Sequence, residues 1–458
     1  MDARSALAIS AGKLVKFINK HTGTGGTAAP GLVSSYLDKN LLKKLSSQLE
    51  KIILITGTNG KTTTSRIVGN FLEYKGINYI HNRHGSNLER GLISCFVEQL
   101  DFFGKLKANF GVFEVDEAVL KRVVEKIFPN IVTINNLFRD QLDRYGEVDN
   151  IKKMWLEIVK NLENEVTLVL NADDPTVSFL GRQANCKVLY FGVDDLKQNL
   201  GKLPIAVDSS KCPVCLKDLF YNAYFLSHQG IFECKNCDFK RPKPDITAEK
   251  IELGKNETQF VLFDKSKDLK LHLAANLPGL YNIYNCLAAY TTIKAFDDNI
   301  DIFPVILKEF KPVFGRNERF FFDGRNIIVA LAKNPTGFNE VIRTFLDQPN
   351  QFVLLLINDK IADGRDVSWI WDVDFEQLEN QEYHFTVGGV RSTEMALRLK
   401  YAGIKNVTEI GSIKEAFFKA LSSTPINGTL TIIPTYTAML DLKRLFANKK
   451  ITGKFWED

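Results

Sequence analysis

Apolar positions along the chain fall into two alternating patterns. Short continuous apolar runs at residues 51–56, 110–115, 131–134, 166–170 and 188–191 read as strands buried on both faces. Between them, apolar residues recur at helical spacing, so the rhythm predicts a parallel sheet with helices on both sides. Ahead of it, residues 1–45 read as a helical leader interrupted by a glycine-rich stretch from Gly23 to Gly31. Its opening, MDARSALAISAGKLVKF, describes a basic amphipathic helix. Such a helix either rests on a membrane surface or packs on the fold; packing is the expectation, because amphipathic helices ordinarily face a core.

Residues 205–245 break the rhythm with cysteines, prolines and lysines and read as an insertion. A strand follows at 259–263 and an alanine-bearing helix at 281–296; Pro312 and Gly315 then mark a hinge. Beyond it, strands at 326–331, 352–357, 384–388 and 430–434, with helices at 339–346, 393–401 and 413–421, outline a second α/β unit. The predicted organisation is α/β, with a leader at 1–45, a central unit at 46–311 and a C-terminal unit at 312–458.

Composition narrows the class. A chain of 458 residues, 45% hydrophobic and 25% charged, is globular and too long for one core. Its net charge of +5 comes from scattered basic residues, which suits an anionic substrate and gives little ground for nucleic-acid binding. No apolar run is long enough to cross a bilayer, and the N-terminus does not read as a signal peptide. Four of the seven cysteines form two CxxC pairs, while Cys95, Cys186 and Cys286 lie apart in apolar surroundings. Metal binding plus buried thiols implies a reducing, cytoplasmic compartment.

The strand at 51–56 runs into Gly57-Thr58-Asn59-Gly60-Lys61-Thr62-Thr63 and then a helical pattern. Glycines let backbone N–H groups approach phosphates, and a helix N-terminus favours negative charge. Lys61 would neutralise the outer phosphates and Thr62 would offer a hydroxyl to Mg2+. The general phosphate loop has a further glycine where this chain has Ile55, so the motif is a shortened variant. Cys212-Pro-Val-Cys215 and Cys234-Lys-Asn-Cys237, eighteen residues apart, fit a closed tetrahedral zinc site with no open position, hence a structural one. In the C-terminal unit, the strand at 352–357 opens into the polar loop Asp363-Gly364-Arg365-Asp366-Val367-Ser368-Trp369-Ile370-Trp371-Asp372. Loops at strand C-termini are where doubly wound sheets bind ligands, although Asp366 or Ser368 could equally cap the next helix.

GTNGKT after an apolar strand resembles the Mur ligase and folylpolyglutamate synthase superfamily. Further segments match in order: Phe113-Glu114-Val115-Asp116-Glu117, Asp140-Gln141-Leu142-Asp143-Arg144-Tyr145-Gly146, Asn171-Ala172-Asp173-Asp174-Pro175, Tyr281-Asn282-Ile283-Tyr284-Asn285 and Gly315-Arg316-Asn317-Glu318. The resemblance implies a Mur ligase-like central domain with its zinc ribbon inserted, and a Rossmann-like C-terminal domain. It implies ATP and Mg2+ as cofactors, with Glu114 as a second magnesium ligand and Asn282 and Arg316 near the nucleotide. Two departures stand out: Gln141 replaces a family histidine, and no room for the nucleotide-precursor domain precedes Lys51.

Lys333-Asn334-Pro335-Thr336-Gly337 together with the DGRDVSWIWD loop is most similar to the MurT branch of that family. This implies a ligase subunit that amidates the α-carboxylate of D-glutamate in the lipid II stem peptide, through an acyl phosphate. Ammonia would come from a GatD-like glutamine amidotransferase partner in a heterodimer, with Asp366 completing the partner's Cys–His pair as a catalytic residue. The lipid II substrate places the chain at the cytoplasmic membrane face. Competing readings are a free-standing amino acid ligase of the Mur or folylpolyglutamate type and, from another class, a nucleotide-binding zinc scaffold.

Overall fold

The computed structural model describes the chain apart from residues 1, 23–27, 83–85, 102–103, 141–147, 203–206, 312–315, 380, 450 and 452–458. The hinge expected at Pro312 and Gly315 and part of the glycine-rich stretch therefore lie outside the described residues. So do Gln141 through Gly146, and the side chain of Arg316.

The central sheet is built from β1 (Lys51–Thr56), β2 (Tyr79–His81), β3 (Phe110–Glu114), β4 (Ile131–Ile134), β5 (Thr167–Asn171), β6 (Lys187–Val193), β9 (Ile246–Leu253), β10 (Thr258–Asp264) and β11 (Leu269–Ala275). Their order is β11-β10-β9-β6-β5-β4-β1-β3-β2, parallel from β2 to β9 and antiparallel beyond. The apolar runs are continuous because both faces are buried. Ile52 and Leu54 point into one core while Ile53 and Ile55 point into the other.

Between β6 and β9 the chain makes a separate two-stranded antiparallel sheet, β7 (Leu219–Leu226) and β8 (Gln229–Cys234), with its own small core around Phe232 and Phe239. The C-terminal sheet holds β12 (Arg316–Phe322), β13 (Arg325–Ala330), β14 (Phe352–Leu356), β15 (His384–Gly388), β16 (Val407–Glu409) and β17 (Thr429–Pro434) in the order β12-β13-β17-β14-β15-β16. Only β12 runs antiparallel. Val353 and Leu355 face one of its two cores, Leu354 and Leu356 the other.

The leader folds as helices Ala3–Thr22, Ala29–Leu37 and Leu41–Ser46. Helix Ala29–Leu37 lies so close to helix Glu89–Gln99 that a Cβ on Gly31 would sit 1.8 Å from the Arg90 carbonyl oxygen. Ser34 donates to the Ala8 carbonyl at 2.9 Å and joins the first two helices.

Candidate functional site

In the central sheet β1 lies between β3 and β4, so the chain leaves it in opposite directions on its two sides. Such a switch point opens a crevice at the strand C-termini, and the glycine loop occupies it. Gly57 and Gly60 take φ of 129° and 86°, angles open to glycine at little cost. A Cβ on Gly60 would also come within 1.9 Å of Asn285 Oδ1. The loop is tied to the end of β4: Asn59 N–H donates to Asn136 Oδ1 at 2.8 Å, and Thr58 Oγ1 donates to the Phe138 carbonyl at 3.1 Å. No side chain caps helix Lys61–Tyr74, which leaves its first-turn N–H groups to an anion.

Charges converge on this crevice. Lys61 Nζ donates to the carbonyls of Gly57 and Thr58 and pairs with Glu117 Oε2 at 2.9 Å. Lys333, from the loop after β13, pairs with Asp140, and Asn334 Nδ2 donates to Asn59 Oδ1 at 3.2 Å. The C-terminal sheet thus closes over the phosphate loop. Burial opposes the charge on Glu117, but Lys61 and Lys333 outweigh it and hold its carboxyl below the ordinary range. Asp140 goes the other way: burial raises it more than Lys333 lowers it, and Glu117 adds repulsion. Alongside, Thr62 Oγ1 donates to Glu114 Oε2 at 2.8 Å and Ser65 Oγ to Glu114 Oε1 at 3.1 Å. Those oxygens suit a hard divalent cation.

Asn282 is buried and donates to the Pro278 carbonyl at 2.7 Å; its Oδ1 accepts from Asn285 Nδ2 at 3.1 Å. Asn285, not Asn282, makes the close approach to Gly60. Asp173 and Asp174 brace the crevice from below. Asp173 accepts from Tyr284 at 2.7 Å and from Arg241 at 2.6 Å, while Asp174 caps helix Pro175–Gly181 and accepts from Leu137 N–H at 3.0 Å.

The four sulfurs of Cys212, Cys215, Cys234 and Cys237 lie within 4.8 Å of one another. The separations Cys212–Cys237 and Cys215–Cys234 are 3.6 and 3.4 Å. A tetrahedral zinc thiolate site has S···S edges of about 3.8 Å, so the set fits the metal. Val214 N–H and Asn236 N–H point at Cys212 and Cys234 sulfurs, both at 3.4 Å, and would steady the thiolates. The neighbouring Lys211 and Lys235 pair with Asp218 and Glu233, which limits their use as counter-charges to the sulfurs.

The structure separates the three aspartates after β14. Asp363 is buried and accepts from the backbone and hydroxyl of Thr437. Asp372 pairs with Arg139 at 3.1 Å, across to the central unit. Asp366 is exposed; Ser368 N–H donates to it at 2.8 Å, and this bond holds its carboxyl below the usual range. The capping alternative is thus present as a local turn, made by the backbone and side chain of Ser368. Ile361 and Trp371, five residues to either side of it, are exposed, and exposed Tyr401 packs edge-on against Trp371.

Of the residues expected from sequence, Gly57 through Thr63, Glu114 and Asn282 gather in one crevice, which lies on neither the cysteine cluster nor Asp366. Glu117, Asp140 and Lys333 carried a signal only through the family resemblance of the segments that contain them. Asn135, Asn136, Ser65 and His81 carried no sequence signal. His81 Nε2 lies 3.0 Å from Ser65 Oγ, and Asn135 Nδ2 donates to Thr64 Oγ1 at 3.0 Å.

Residues 55–293 match the Mur ligase middle domain and residues 331–439 the MurT ligase C-terminal domain. The lipid II isoglutaminyl synthase (glutamine-hydrolyzing) subunit MurT of Streptococcus pneumoniae is 33% identical over 460 residues, 99% of each chain. The same subunit from Staphylococcus aureus is 33% identical over 95% of this chain and 96% of its own. Among solved structures, a pseudomurein peptide ligase type C from Methanothermus fervidus superposes with a TM-score of 0.69 at 25% identity, covering 88% of this chain and 79% of that one.

Proposed function

Because the chain belongs to the Mur ligase family, and to its MurT branch over nearly its full length, we propose that it is the ATP-dependent ligase subunit of a lipid II isoglutaminyl synthase. The observation that carries the chemistry is the meeting of Lys61, Glu117, Asp140 and Lys333 where the second sheet closes on the phosphate loop. Two lysines held by buried carboxylates can follow negative charge as a phosphoryl group passes to a carboxylate, without being solvated away.

ATP lies along Gly57–Thr63, with Asn282 and Arg316 assigned to its nucleoside side. Mg2+ would be held by Thr62 and Glu114 and would neutralise charge on the phosphate oxygens. The D-glutamate α-carboxylate attacks the terminal phosphorus, ADP leaves, and an acyl phosphate forms. Ammonia adds to its carbonyl carbon, phosphate departs, and loss of a proton leaves the amide. Lys61 and Lys333 would hold the reacting groups in line and stabilise the charge that develops between them. Cys212, Cys215, Cys234 and Cys237 would hold zinc in a structural role.

Asp366, on the loop that also carries exposed Ile361 and Trp371, is assigned to the surface that receives a glutaminase-like subunit. Its carboxylate would accept from the partner's catalytic imidazole and fix its tautomer. We assign domain limits at 45/46 and 311/312. Mass spectrometry of lipid II after incubation with ATP, glutamine and the co-purified partner tests the reading. Amidation of the glutamate carboxylate supports it; addition of an amino acid, or no change with either amine source, overturns it.

A further inference from the structure

Two polar residues at the C-terminal end of β2, His81 and Asn82, reach the crevice and take no part in the reaction described above. The side chain of His81 is 2% exposed, and Asn82 is buried. β2 pairs in parallel with β3, His81 opposite Val112, so the chain leaving β2 runs beside the end of β3, where Glu114 stands. Asn82 clasps the backbone of that glutamate at two points. Its Oδ1 accepts from the Glu114 N–H and its Nδ2 donates to the Glu114 carbonyl, both at 2.9 Å.

His81 acts on the side chain instead. Its Nε2 lies 3.0 Å from Ser65 Oγ but 3.9 Å from Glu114 Oε1, too far for a direct hydrogen bond. Ser65 Oγ in turn stands 3.1 Å from Glu114 Oε1 and from the Thr62 carbonyl. A hydroxyl has one proton to give and lone pairs with which to receive. With Ser65 donating to Glu114, its contact with His81 requires the imidazole to donate from Nε2. The order is then Nε2–H to Ser65 Oγ, and Ser65 O–H to Glu114 Oε1. Successive bonds of this kind polarise and strengthen one another. They fix Oε1 toward Ser65 and leave Oε2 beside Thr62 Oγ1, the two oxygens assigned to Mg2+. The imidazole itself is a poorer ligand for that cation, which takes oxygen donors. A buried histidine can be mere packing, but this one meets a hydroxyl that serves Glu114, and its neighbour holds the same residue's backbone.

We propose that His81 is a positioning residue for the magnesium site: through Ser65 it holds the Glu114 carboxylate in the orientation that receives the cation. This role rests on the magnesium assignment made above and needs neither the acceptor substrate nor the partner.

Mg2+ titration of the full chain with a non-hydrolysable ATP analogue, with bound nucleotide read by equilibrium dialysis, tests it. His81→Leu removes the donor at similar volume, and half-maximal binding should require roughly tenfold more Mg2+. Binding at saturating Mg2+ and the melting temperature should stay near wild type. His81→Gln, whose amide offers a donor at comparable reach, should recover much of the loss. Ser65→Ala should reproduce the shift, and the double variant H81L/S65A should be no worse than S65A, because the histidine acts through that hydroxyl. A wild-type Mg2+ requirement in H81L overturns the proposal, as does a double variant whose losses multiply. Weak nucleotide binding at every Mg2+ concentration in a folded H81L would reduce His81 to packing and also overturn it. If H81L is unstable, H81N against H81Q decides, since only the longer amide reaches Ser65; equal Mg2+ requirements in the two overturn the role. Wild-type binding that ignores Mg2+ would remove the magnesium assignment and this role with it, whereas a Mg2+-dependent wild type with matching variants removes this role alone.

Discussion

Lys61 is held by the carbonyls of Gly57 and Thr58 and by Glu117, so its ammonium is fixed before any phosphate arrives. Lys61→Ala removes that charge from the developing transition state, and ATP-dependent amidation should fall roughly a hundredfold or more. Glutamine hydrolysis by the partner should fall less, which paired measurements of glutamate release and lipid II amidation will read. Asp366 calls for a different test because it is exposed and lies apart from the crevice. Asp366→Asn keeps the shape but removes the charge that would stabilise an imidazolium. Glutamine-driven amidation should collapse, with zinc content and ATP binding intact, and added ammonia should restore much of the product. Failure of ammonia to rescue would move Asp366 into the ligase site. Asp363 and Asp372 are poorer candidates, one buried against Thr437 and the other paired with Arg139.

At the scale of elements, the ribbon is more than an appendage. The turn between β7 and β8 places His228, fully buried, with Nε2 3.4 Å from Asp174 Oδ2 and its ring 4.9 Å from that of Phe138. Phe138 and Asp174 in turn hold the β4 loop that supports Thr58. Cys212→Ser should therefore lose zinc, lower the melting temperature and weaken ATP binding secondarily, as metal analysis, calorimetry and nucleotide titration would show. A zinc-free protein with wild-type stability would contradict the structural role. Periodicity located β1, β3 and β4 and most of β5, because buried strands in parallel sheets are continuously apolar, and most of antiparallel β10 through its buried run Phe260–Leu262. It passed over β2, β9, β11, β12 and β16. β2 and β16 are three residues long, and in β11 polar residues interrupt the apolar ones, as suits an antiparallel edge half open to water.

For the whole molecule, the informative features are its surfaces and the seam between its sheets. Exposed Ile361 and Trp371 lie five residues to either side of Asp366, with exposed Tyr401 against Trp371, so Ile361→Glu with Tyr401→Glu should abolish co-purification of the proposed glutaminase-like partner while leaving zinc and ATP binding unchanged. Retention of the partner would move its docking surface elsewhere. The phosphate loop and the cysteine pairs were legible in the sequence because each completes its chemistry within a few adjacent residues. The strand-loop-helix passage carries its own geometry, and two CxxC pairs at this spacing bring four sulfurs together. Lys333 over Asp140, Asn334 on Asn59 and Asn285 against Gly60 span up to hundreds of positions, and no local pattern encodes such a meeting. Nor could periodicity tell which side of the first helix would face outward, since small and large apolar residues both mark it as amphipathic. That choice belongs to the tertiary structure: Gly12, Ala8 and Gly31 permit the close approach of helices that larger side chains would prevent, and so leave the leucines outside.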